Sequence, residues 1–205
     1  LSSGNSVEGN AGSVYIQSGA TDEGIGSTIE IAAGYSTQAN GGSILLRSGA
    51  GKQSDSGGVR LATTDAGSTG SSGSVQISTG TSSQGASGSI LLSTGGSAGL
   101  HSGAISITAG ASVSSGADAV VSAGDSIAST GGSVTIQSGS SERGESGSLN
   151  LETGVSQGLG SSSGSIIMQS GAAAAGFSGA ALLSTGDSLS DAGSIYQKAG
   201  DARAG

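Results

Sequence analysis

Gly42-Ser43-Ile44-Leu45-Leu46-Arg47-Ser48-Gly49 is one copy of a phrase that recurs from end to end of the chain: Gly-Ser, an aliphatic, any residue, a second aliphatic, any residue, a small residue, Gly. It returns as GSVYIQSG at Gly12 to Gly19, GSVQISTG at Gly73 to Gly80 and GSVTIQSG at Gly132 to Gly139. The closing glycine falls at Gly4, Gly19, Gly34, Gly49, Gly80, Gly95, Gly110, Gly124, Gly139, Gly154, Gly171, Gly186 and Gly200, with Thr64 in its place once. The period is about 15 residues, and a sustained short period predicts a repeat array, not a globular domain with a pocket.

Apolar and variable residues alternate over five positions of each phrase, the period-2 signature of a strand with one face buried. The absence of proline fits a backbone whose N–H groups are paired. Glycines at both ends suit sharp corners, often with positive φ. About seven residues separate a closing Gly from the next opening Gly, too many for a two-residue hairpin turn and without its Asn-Gly or Asp-Gly signal. The expected fold is therefore all-β: a single parallel β-solenoid of about 13 to 14 coils of about 15 residues, spaced by about 4.8 Å. Residues 1–205 form one continuous element, a section of something longer, since Leu1 lies inside a repeat.

A column of small residues sits two positions past the closing Gly, at Ser36, Gly51, Ala66, Ser82, Ser97, Ser112, Ser126, Ser141, Ser156, Ala173, Ser188 and Ala202. It predicts a thin, two-sided cross-section in which the aliphatics pack on a wall of Ser, Ala and Gly. The residue before the closing Gly, such as Ser18, Ser48, Thr63, Thr79 or Ser138, shares the parity of the aliphatics and is expected to form an inward hydroxyl ladder. One repeat cannot stand alone, so stability is expected from stacking. Irregular steps, two residues long at Gly154 to Gly171 and one short at Gly110 to Gly124 and Gly186 to Gly200, should be absorbed on the turn side.

Composition excludes several roles. A net charge of −8 with six Lys and Arg lacks the basic footprint of a nucleic-acid binder and argues against docking on anionic lipid. There is no cysteine, and no apolar run approaches the roughly 20 residues of a membrane-spanning helix. Glycine at 42 residues with abundant serine suits a flexible linker, but a linker has no reason to hold Val, Ile and Leu at fixed phase.

Chemistry is equally sparse. His101 is the only histidine, serines have no positioned base, and no catalytic, cofactor-binding or metal residue is assigned; the chain is read as a non-enzyme needing no cofactor. Gly49-Ala50-Gly51-Lys52 lacks the spacing of a phosphate loop. Asp22-Glu23, Glu142/Glu145 and Asp187/Asp191 do not recur at one phase as calcium ligands of β-rolls do, and are read as solvated turns. No Asn-x-Ser/Thr acceptor occurs.

The outward column between the aliphatics is the one candidate contact face. Its apolar members are Tyr15, Leu45, Leu91, Val120, Ile167, Leu182 and Tyr196, more than a freely solvated face needs. They predict lateral packing against another copy or another part of the same assembly.

The repeat resembles β-solenoid proteins in general, and GSVxIxSG with Ser/Gly-rich turns is similar to secreted or cell-surface repeat proteins of microbes and microalgae. That resemblance implies an extracellular or cell-surface location and a scaffold or filament-forming role, through end-to-end or lateral self-association, without membrane insertion or nucleic acid. In coil length the chain also resembles the insect and grass antifreeze proteins, whose ice face is a regular outward array of Thr. Only Ser106-Ile107-Thr108 approaches such an array within a phrase. Ice binding through a flat Ser/Thr/Ala face is the alternative function, and glycan binding the second alternative.

Overall fold

Three residues past a closing glycine the chain bends, and it does so once in every repeat: at 7–9, 22–24, 37–39 and 52–54, and onward to 174–176 and 189–190. Between bends, the phrase itself runs without bend or turn. The computed structural model describes residues 1–99 and 101–200, which fall into two units, Leu1–Ile105 and the described part of Ser106–Gly205. Both units are built from the same two parts, a straight eight-residue segment and a loop.

Five of the described loops are closed at the neck by one backbone hydrogen bond from the opening residue of the next phrase. In the first unit Gly42 N–H donates to Gly34 C=O at 2.8 Å and Gly57 N–H to Gly49 C=O at 2.9 Å. In the second, Gly132 pairs with Gly124 and Gly147 with Gly139, each at 2.9 Å. The one-residue-short loop after Gly110 makes the same bond from Ala117 at 3.5 Å.

Side chains explain why that neck holds small residues. A Cβ added to Gly42 would lie 3.2 Å from Ala33 Cβ and from Gly34 N, and one on Gly132 would meet Ala123 Cβ at 3.2 Å. Ser48, Thr79 and Ser138 stand in the same relation to Gly57, Gly88 and Gly147, at 3.5, 3.3 and 3.4 Å. The residue before the closing Gly thus packs across the neck on the next opening Gly. Ser18, Ser48, Ala123 and Ser138 are the only described residues that are half-buried, the rest being exposed, and all four occupy this position.

Seven of the described bends are in turn held by a hydroxyl. Two residues past the closing Gly, the oxygen of Thr21, Ser36, Ser82, Ser126 or Ser141 accepts the N–H three residues on, at 2.9 to 3.1 Å. This is the side-chain turn chemistry that makes Ser and Thr favourable outside regular structure. Where the repeat is one residue short, Ser112 and Ser188 accept from the N–H only two residues on, at 3.2 and 3.1 Å. The long loops instead contain a backbone turn, Gly70 N–H to Gly67 C=O at 3.2 Å and Ser161 N–H to Gly158 C=O at 3.1 Å. Length changes are therefore absorbed at the bend.

The β-solenoid expected from the alternation is not formed. The described residues contain no strand and no helix, and every backbone pair among them lies at a loop neck or inside a loop. Alternation specifies a strand only if another stretch of backbone pairs with it, and no repeat does so here. The all-β class, the thin two-sided core and the likeness to β-solenoid proteins fall together, because no described residue is buried. The small column at Ser36, Ser82 and Ser141 is not an inner wall but a row of exposed bend acceptors. The inward hydroxyl ladder is replaced by neck packing, with Ser18 Oγ donating to Ser27 C=O at 3.1 Å within its own loop. Corner glycines also differ from expectation: among the described residues positive φ occurs only at Gly4, Gly9, Gly160 and Gly176.

The surface records the same result. A folded chain of this mass exposes about 8,000 Å² and its unfolded form about 27,000 Å², against 20705 Å² here. Most of the burial available to a globular domain has not taken place.

Candidate association face

The aliphatics that the alternation assigns to a core are at the surface, but at graded depth. The first of each pair, from Val14, Ile29 and Ile44 to Ile166 and Ile195, is 49–60% exposed. The second, from Ile16 and Leu46 to Leu151 and Leu183, is 61–82% exposed. Between them Tyr15, Leu45, Leu91, Val120, Ile167, Leu182 and Tyr196 are 76–86% exposed. The gradient repeats in both units, and the segments with an apolar middle residue offer apolar surface on both sides.

The seven sequence-predicted contact residues each sit in a separate segment. Leu182 is the one that lines a cavity, a volume of about 380 Å³ in the second unit bounded by Met168, Gln169, Ser170, Ala180, Ala181 and Leu183. It forms where one segment enters a neck and the next leaves it. Sequence reasoning missed the pairs flanking the predicted column, because it had already assigned Val14, Ile16 and their equivalents to an interior.

Loop residues carry most of the charge and no chemical site. His101, Asp22, Glu23, Glu142, Glu145, Asp187 and Asp191 are all exposed. Among the described residues no group of three or more His, Asp or Glu could hold a metal ion. At Gly51 a Cβ would collide with the carbonyl oxygens of Ser54 and Asp55. That loop therefore turns carbonyls inward where a phosphate cradle would need N–H donors. Among the described residues no helix is long and apolar enough to cross a membrane.

One column has no explanation within the chain. A Cβ on the closing glycines Gly19, Gly34, Gly49, Gly80, Gly95, Gly110, Gly124, Gly139, Gly154, Gly171, Gly186 and Gly200 would meet nothing within 4 Å, and none of these has positive φ. No protein-family model matches the chain, and no curated protein or solved structure matches it.

Proposed function

We propose that this chain is a non-enzymatic structural element that acts by associating with copies of itself, outside the cell or at its surface. One observation carries the reading: large aliphatics recur at fixed phase along the whole chain, and none of the described ones is buried. Exposed apolar surface on this scale exceeds what a monomer ordinarily presents and marks an interaction surface. Composition supports it from another side, since 10% charged residues and a mean hydropathy of +0.06 differ from the high charge and low hydrophobicity that keep a chain solvated and single.

Sedimentation velocity over a range of concentrations tests the proposal, with electron microscopy of the same samples. The expected result is mass that rises with concentration and assemblies larger than dimers. A chain that stays monomeric into the high micromolar range overturns it, as does thermal hysteresis from a strictly monomeric chain. Salt supplies a second expected outcome. With a net charge of −8 the copies repel, and raising ionic strength from 0.01 M to 0.15 M shortens the screening length from about 30 Å to about 8 Å. Association is expected to strengthen several-fold over that range by light scattering; a constant or falling signal contradicts it.

A further inference from the structure

We propose, resting on the self-association just argued, that copies join backbone to backbone along their straight segments, at offsets of whole repeats, so that growth is open-ended. Three observations point to the backbone as the joining element.

First, the backbone–backbone bonds of the described residues all lie in loops and at their necks, leaving the inner N–H and C=O groups of the segments from 12–19 to 179–186 without a backbone partner. Second, the segments from 12–19 onward lack the devices that blunt an open edge: they contain no proline, no bend and no positive φ. Third, their inner residues are rich in Val, Ile and Leu, which fit a pleated, half-buried surface, whereas most carboxylates lie in the loops. Spacing identifies the occupant. A partner that pairs with successive segments must present extended backbone at the same interval of about 15 residues, and a second copy does so at every position.

The repeat also fixes the manner of growth. Sliding one copy by a whole repeat again sets aliphatic pairs beside aliphatic pairs, with mismatches confined to loops that absorb length at their bends. Staggered pairs leave unpaired segments at each end, and unpaired ends recruit further copies, as open, non-closing contacts do.

The test uses prolines where apolar surface is untouched. Gln76, Ser106, Thr135 and Asn150 are the polar residues between two aliphatics in four segments, and all are exposed. In the full-length chain carrying Gln76→Pro, Ser106→Pro, Thr135→Pro and Asn150→Pro, each ring removes a donor and obstructs one edge. The expected result is at least a tenfold loss of species larger than dimers in sedimentation velocity, together with loss of the intermolecular-sheet band in the infrared amide I region that the unsubstituted assembly shows. Proline-bearing chains that assemble as the parent does would overturn backbone joining while leaving self-association standing. Assembly of the parent without a sheet band would do the same. A parent chain that never associates overturns both proposals.

Discussion

Serine in place of the paired aliphatics of three segments, Ile44→Ser, Leu46→Ser, Ile90→Ser, Leu92→Ser, Val134→Ser and Ile136→Ser, is expected to abolish association without altering the single chain. In a globular protein six such changes would unfold the domain, because each opens a cavity or buries a hydroxyl. Here the six side chains are 52–67% exposed, so the isolated chain has little packing to lose. If association covers roughly 60 Å² of each, the lost burial is about 1.5 kcal/mol per residue and about 9 kcal/mol in all. That corresponds to about six orders of magnitude in an association constant. Light scattering should therefore show monomer at every accessible concentration. The necks supply the control: nuclear Overhauser contacts between Ala33 and Gly42 and between Ala123 and Gly132 should persist, since their Cβ packing does not involve the substituted residues. Association that survives the six serines would place the contact surface elsewhere, in the loops.

The repeat, its period and the location of its irregular steps are all legible in the residues, but the structure places the bends inside the loops and not at the glycines that bound each phrase. What could not be read was whether the straight segments find partners. Val75-Gln76-Ile77 has the same alternation in a solenoid coil, in an edge joined to another chain and in an unpaired segment, because alternation reports a face and not what covers it. The small residues were misread for a related reason. Ser at position 36, 82 or 141 is equally suited to a cramped inner wall and to accepting an N–H from its own bend, and only the 2.9 to 3.0 Å bonds to Ala39, Gly85 and Gly144 decide between them. The candidate face at Tyr15, Leu45 and Leu91 was legible as apolar excess, but its extent was not, since the flanking aliphatics had been assigned to a core that the described residues do not form.

The two glycine columns should respond to substitution in opposite ways. At the opening position, Gly42→Val and Gly132→Val put a branched Cβ into a neck where Ala33, or Ala123, already stands 3.2 Å from the site of a Cβ, and where the nitrogen of the closing glycine, Gly34 or Gly124, is as close. Contacts of that length leave no room, so the neck must open and its hydrogen bonds, at 2.8 and 2.9 Å, must break. With one backbone bond and one side-chain contact holding each of these two necks, the loss is on the order of 1–3 kcal/mol per neck, enough to open the neck while the bend bonds at Ser36 and Ser126 remain. The readout is local: the Ala33 to Gly42 and Ala123 to Gly132 nuclear Overhauser contacts vanish in the monomer, and amide exchange at residues 42 and 132 rises to that of an open chain. At the closing position, Gly49→Ala and Gly139→Ala meet nothing within 4 Å and require no positive φ, so the monomer's spectrum should change only at the substituted residues. If those glycines are instead kept open by the approach of a second copy, alanine there weakens association while the single chain is unmoved. An opening-position valine that left its neck intact would mean that the loops are held by something other than the pair of small residues at their base.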